Sequence, residues 1–114
     1  MSNLKEKTCK PCEGGVEPLK KDEVDKLLKK IEGWSVNEDY TEISRTVGLK
    51  NYYRVIAFVN AIAWMAHREN HHPDMEVSYS SCVVRYSTHA IGGLSENDFI
   101  CAAKVDEIFE ARPY

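Results

Sequence analysis

Three of the four histidines in this 114-residue chain fall in the stretch HRENHHPDM, residues 67–75, where His67, His71 and His72 precede Pro73. Imidazole titrates close to neutral pH, so such a cluster suits two chemistries: holding a metal through neutral ring nitrogens, or donating and accepting protons. A third reading needs no chemistry, only polar rings facing solvent at a helix end. His67 and His71 are four apart, the spacing of a two-histidine clamp on one helical face. A zinc metalloprotease would carry Glu directly after the first His. Here Glu69 stands two residues on, about 200° around the helix from His67. With no third ligand at a recognisable spacing, neither a metal nor another cofactor is expected. For proton transfer the pattern fits better. Pro73 disfavours helical geometry at His72, so the helix should end at or just before His71 and send two imidazoles in different directions, onto two sides of a pocket. The fourth histidine, His89, ends the alternating run RYSTH ahead of Gly92-Gly93. A helix end and a strand end can meet at one cleft.

The elements that would hold these groups are legible in the spacing of apolar residues. In KKDEVDKLLKKIEGW, Val24, Leu27, Leu28 and Ile31 follow the i, i+3, i+4, i+7 rule and Gly33 closes an amphipathic helix. Trp34 to Leu49 favours one or two strands with a turn near residues 37–39; Ile43, Val47 and Leu49 share a side that Arg45 interrupts. NYYRVIAFVNAIAWMAHREN is the longest helical segment, with Tyr52, Val55, Ile56, Val59, Ile62, Ala63 and Ala66 as its expected buried stripe. MEVSYSSCVVRYST alternates as a hairpin: Met75, Val77 and Tyr79, a turn at Ser80 and Ser81, then Val84 and Tyr86. In LSENDFICAAKVDEIFEA, Ser95 is the expected N-cap and Asp98 stands at the third helical position, close to a capping box. Phe99, Ala102, Ala103, Asp106 and Phe109 mark one face of that helix. A hairpin without a repeated βαβ unit predicts an α+β two-layer sandwich, an antiparallel sheet with helices on one face. The bare face would be solvated or used for assembly.

The length allows one core. Residues 1–18, rich in Gly, Pro, Lys and Glu, read as a flexible N-terminal arm, and 19–114 as the folded domain. A formal charge of -3 and a pI near 5.8 lack the basic excess of a nucleic-acid binder. No run is apolar and long enough for a membrane span or a signal peptide, so no membrane partner and a cytoplasmic location are expected. Cys9 and Cys12 form a lone C-x-x-C, read as half a zinc site, a redox pair or an inert pair in the arm. Cys82 and Cys101, among Val, Ile and Ala, read as small core residues. Gly92-Gly93 before a helix reads as a turn, or as an anion cradle.

The series His67, three residues, His71-His72-Pro73, five residues, Tyr79, nine residues, His89, eight residues, Asp98 resembles the signature of the pterin-4a-carbinolamine dehydratases. The likeness runs from about Lys20 to Glu110 and includes Gly33-Trp34, Ser87-Thr88-His89 and GLSENDF at 93–99. It implies a four-stranded antiparallel sheet with three helices on one face. The activity it implies is a hydro-lyase reaction, loss of water from a 4a-hydroxytetrahydropterin to give quinonoid dihydropterin, in recycling the pterin cofactor of aromatic amino-acid hydroxylases. It further implies His71, His72 and His89 as catalytic, with His72 the first choice for proton donor, and Asp98 and His67 as supporting groups. Ser87, Thr88, Trp34 and Pro73 are implied at the substrate. Where many members carry Glu four residues before H-H-P, this chain has His67, an imidazole in place of an acceptor-only carboxylate. The implied partners are the pterin substrate, further copies of the chain in a homodimer or homotetramer, and an aromatic amino-acid hydroxylase. The rival reading is a protein-binding dimerisation cofactor or transcriptional coactivator module.

Overall fold

The structure, a computed structural model, describes residues 4–10 and 16–111. In chain order the elements are α1 (Lys21–Leu28), β1 (Ser35–Val36), β2 (Ile43–Gly48), α2 (Tyr52–Glu69), β3 (Asp74–Val77), β4 (Ser81–Tyr86) and α3 (Glu96–Ala111), with 3-10 turns at Leu4–Glu6 and His89–Ile91. The strands form one sheet in the order β1-β2-β4-β3, every pair antiparallel. This is the α+β architecture expected, three helices packed on a four-stranded sheet.

Alternation along the strands assigns the two faces. Ile43 and Val47 of β2 and Cys82, Val84 and Tyr86 of β4 are buried beneath α2 and α3. Their neighbours Ser44, Thr46, Val83 and Arg85 lie on the other face, where Arg85 donates to Glu76 at 2.6 Å. Arg45 lies opposite Val84, on the inward side, which accounts for the break in the apolar pattern of β2. Its guanidinium is ion-paired with Asp106 of α3 and lies 5.1 Å from the Phe109 ring centroid. The same carboxylate accepts from Trp34 Nε1 at 2.8 Å, so the indole is held in the core. Gly33, at φ +82°, passes where a Cβ would meet Arg45 Nε at 3.0 Å. Only glycine meets both the left-handed backbone and the close approach at little cost.

The structure corrects the sequence expectation in several places. The buried residues of α2 are Val55, Phe58, Ile62, Met65 and Ala66; Tyr52 and Ala63 are exposed. The inward stripe is rotated because α3 packs beside α2 as well as the sheet packing beneath it, and Phe58 meets Phe109 edge-on at 6.0 Å. The hairpin turn is Tyr79-Ser80 rather than Ser80-Ser81: Ser78 N–H bonds Ser81 O at 2.9 Å, and Tyr79 is exposed at the tip. α3 is buried on more than one face, with Asn97, Asp98, Ile100, Cys101 and Val105 buried besides Phe99 and Ala102. The first residues of the chain account for part of this cover. Residues 4–10, expected within the flexible arm, lie against α3: Leu4 is buried in the core, and Lys104 Nζ donates to Lys5 O at 2.8 Å. Cys12, the second half of the C-x-x-C, lies outside the described residues.

Candidate active site

The helix carrying the histidines ends at Asn70, before the restriction that Pro73 places on His72. Asn70 takes the left-handed conformation (φ 54°, ψ 41°), for which Asn is the best residue after Gly. Its N–H bonds His67 O at 3.2 Å and the His71 N–H bonds Ala66 O at 3.1 Å, a Schellman closure that satisfies the last carbonyls of α2. His71 and His72 therefore follow a sharply terminated helix and lead into β3. One points inward and one outward: the His71 side chain is 11% exposed, whereas His72 is exposed.

His71 is fastened from behind. Its Nε2 lies 2.6 Å from Asp98 Oδ1, and Asp98 is fully buried. The other carboxylate oxygen accepts from Thr88 Oγ1 at 2.8 Å and from Ser95 N–H at 3.0 Å. The Thr88 and Ser95 hydroxyls are 2.7 Å apart. Asp98 therefore caps the first turn of α3 with one oxygen and orients a histidine with the other. The ring of His71 stacks on Tyr86 at 5.3 Å and 17°, and the Tyr86 hydroxyl donates to His71 O at 3.3 Å. Burial raises the Tyr86 phenol above its ordinary range, which keeps it a donor. For His71, burial by itself favours the neutral ring, but the hydrogen bond and charge of Asp98 together outweigh it and raise the pKa above 6.5. With Nε2 taken by Asp98, Nδ1 is the nitrogen without a hydrogen-bond partner among the described residues.

A pocket of about 340 Å³ opens in front of these groups, lined by His67, His71, His72 and Pro73 with Ala63, Ala66, Asn70 and Met75. Its size is at the low end of the roughly 300–1,000 Å³ usual for small-molecule sites, adequate for a flat bicyclic ring. His67 is exposed, its ring in a tilted contact with Trp64 at 5.5 Å. His72 Nδ1 is 3.4 Å from Pro73 O, a long contact that leaves the ring free to move. Among the described residues no group of three His, Cys, Asp or Glu side chains converges as a metal site.

The remaining sequence candidates lie elsewhere. His89 opens the short turn after β4 and is exposed, outside the lining of this pocket; Ser87 is half-buried. Thr88 is buried with its hydroxyl turned to Asp98, an orientation not foreseen from sequence. Trp34 lies in the core cluster with Asp106, away from the histidines. The Arg45–Asp106 ion pair borders a second concavity of about 350 Å³, which contains no histidine. Gly92-Gly93 forms a turn: Gly92 is at φ +66°, and Pro18 packs so close to Gly93 that a Cβ there would lie 2.7 Å from it. The stacking of Tyr86 on His71 was also missed; strand alternation alone placed Tyr86 inward, at the end of β4 that runs on towards His89.

Comparison with known proteins bears on this arrangement. The sequence pattern of the family described as Pterin 4 alpha carbinolamine dehydratase matches residues 17–108. A provisionally named pterin-4-alpha-carbinolamine dehydratase of Nitrosomonas europaea is 62% identical over 110 residues, covering 96% of each chain. Another, from Nitrosospira multiformis, is 53% identical over 110 residues, again 96% of each. Among solved structures, a transcriptional coactivator/pterin dehydratase from Brucella melitensis superposes with a TM-score of 0.77 at 26% identity, over 81% of this chain and 98% of that one.

Proposed function

We propose, for a chain that belongs to the pterin 4 alpha carbinolamine dehydratase family, that the histidine pocket removes water from a 4a-hydroxytetrahydropterin by acid and base catalysis. The observation that carries the proposal is the His71–Asp98 pair at 2.6 Å, anchored by a fully buried carboxylate behind a pocket with two further imidazoles. Expelling the 4a-hydroxyl as hydroxide is slow, so an acid must protonate it; nitrogen 5 supplies the electrons that form the new double bond and loses its proton to a base. His71 suits the base. Asp98 stabilises the imidazolium that forms when His71 takes the proton, and because Nε2 faces Asp98 the incoming proton goes to Nδ1. His72, exposed at the pocket mouth and next to rigid Pro73, is the acid that gives the leaving hydroxyl its proton. His67, at the rim where relatives of the resembled signature carry Glu, adds a third imidazole and no fixed negative charge. Ser87, Thr88 and Trp34 keep indirect roles: Thr88 holds Asp98, Trp34 holds the core, and Ser87 follows β4 at the site's edge. His89 is assigned by resemblance alone.

The cellular setting that goes with this reaction is recycling of the pterin cofactor of an aromatic amino-acid hydroxylase, with the chain working as a homo-oligomer in the cytoplasm. Among the described residues no helix is long and apolar enough to cross a membrane. The name of the Brucella structure favours a second reading, a coactivator module that binds protein. The deciding experiment is steady-state dehydration of freshly generated 4a-hydroxytetrahydropterin by wild type and His71→Ala. An enzyme loses turnover in the variant, whereas a chain that gives no rate above the uncatalysed reaction supports the binding module.

A further inference from the structure

We propose that Cys9 and Cys101 form a reversible disulfide site, closed by two-electron oxidation with a small peroxide. Their sulfurs lie 3.5 Å apart although 92 residues separate them in sequence, and both are free thiols. The approach is built by the backbone around Cys9. The Cys9 N–H donates to Glu69 Oε1 at 2.9 Å. Lys10 is clasped at both its peptide groups by the side-chain amide of buried Asn97: its N–H donates to Oδ1 at 3.0 Å, and its carbonyl accepts from Nδ2 at 2.7 Å. Asn97 stands one helical turn before Cys101 on α3, so the clasp that fixes Lys10 also aims Cys9 at Cys101. Leu4, buried in the core, holds the other end of the segment. A sequence reading that pairs Cys9 with Cys12 misses this contact, because only the docking of the chain start on α3 creates it.

The chemistry of the pair is asymmetric. The hydrogen bond between the sulfurs, with burial added, holds the proton on Cys9 and raises its pKa; the same hydrogen bond outweighs burial at Cys101 and lowers its pKa. Cys101 is fully buried and Cys9 only partly so. Because only Cys9 is open to solvent, the reacting form is the minor one in which the shared proton has moved uphill from Cys9 to Cys101 and left the thiolate on Cys9. Cys9 thiolate then attacks one oxygen of hydrogen peroxide; the O–O bond breaks and the second oxygen leaves as hydroxide, protonated to water, giving Cys9 sulfenic acid. Cys101 attacks the Cys9 sulfur, the S–S bond forms, the S–O bond breaks, and the departing hydroxide takes up the Cys101 proton as a second water. One peroxide is reduced and two thiols are oxidised. The bond would make permanent one wall of a third pocket, of about 230 Å³, where Thr8, Cys9 and Lys10 face Glu69, Asn70 and His71.

The test is oxidation of the full chain with a few equivalents of hydrogen peroxide, thiol blocking, proteolysis and mass mapping, alongside thermal unfolding. The expected product is a Cys9–Cys101 linked peptide, reversed by dithiothreitol, with a rise in Tm of roughly 10 °C from cross-linking so long a loop. Cys12→Ser should retain both the link and the rise. Cys9→Ser should lose both while keeping the reduced Tm within a few degrees, since a half-buried thiol is replaced by its oxygen analogue. A Cys9–Cys12 link, oxidation of Cys9 beyond sulfenic acid with Cys101 still free, no link at all, or a Tm rise that persists in Cys9→Ser would each overturn the proposal.

Discussion

Replacing Asp98 by Asn tests the reasoning at its centre, because the substitution changes charge and hydrogen-bond polarity with almost no change of volume. Asp98 uses both oxygens as acceptors: from His71 on one side, and from Thr88 and the Ser95 N–H on the other. The Ser95 N–H can only donate, so the Asn carbonyl must stay on that side and its NH₂ must face His71. His71 then has to accept at Nε2, which moves its proton to Nδ1, the nitrogen available to substrate. The helix cap survives. What is lost is one charge-assisted hydrogen bond in a dry site, worth about 1.5–3 kcal/mol, read as a drop in the free energy of unfolding by urea. With the Asp98 charge gone, burial is left as the dominant influence on His71, and its titration midpoint should fall below that of wild type by ¹⁵N NMR. Turnover should fall about 100- to 10,000-fold, the contribution of a correctly protonated base. Thr88→Val is the control: it removes one neutral partner and keeps the charge, costs about 1 kcal/mol, and leaves the His71 midpoint above its ordinary value. If folded Asp98→Asn showed a His71 midpoint equal to or higher than wild type, the claim that this carboxylate sets the histidine would be refuted.

Four further outcomes are expected. His72→Ala should lose on the order of 100-fold or more in turnover with much less change in pterin affinity and almost none in stability, since the ring is exposed; near wild-type dehydration would pass the acid role to His71 or His89. The folded pKa of His71 is raised above 6.5, so its contribution to stability is fully present below that value and is lost as pH rises through the folded pKa. The stability difference between wild type and His71→Gln should therefore shrink with rising pH in paired urea titrations, and a difference that grows would contradict the sign. Chelator treatment followed by dialysis should leave turnover unchanged; loss restored by zinc would revive the two-histidine clamp. Sedimentation at micromolar concentration should give an oligomer, because β1 and β3 are open sheet edges, and a species of 13.0 kDa alone would argue against it.

Much of the site's framework is local and was readable in the order of residues. Pro73 restricts the residue before it, so the end of the long helix near His71 followed from backbone sterics; Ser95 and Asp98 stand three apart, so the cap followed from helix geometry; the alternation of β4 put Val84 and Tyr86 on one face. The α+β layering followed from the order of these elements. What sequence could not supply were relations between segments far apart in the chain. Helix position implied that Asp98 caps α3 and the resemblance that it supports a histidine, but that the histidine is His71, 27 residues away, follows only from tertiary packing, because the other oxygen of a capping Asp is free to point wherever packing leads it. Arg45 broke the strand pattern on paper, yet it faces inward because Asp106, 61 residues on, neutralises it. The stripe of α2 rotated to meet α3, and residues 4–10, too polar to show a periodicity, docked through Leu4 and through backbone groups bonded by Glu69 and Asn97. Periodicity records which side of one element is dry. Which distant side chain completes a buried polar group depends on three-dimensional packing, where an unpaired carboxylate, guanidinium or peptide group costs more than the entropy of ordering its partner.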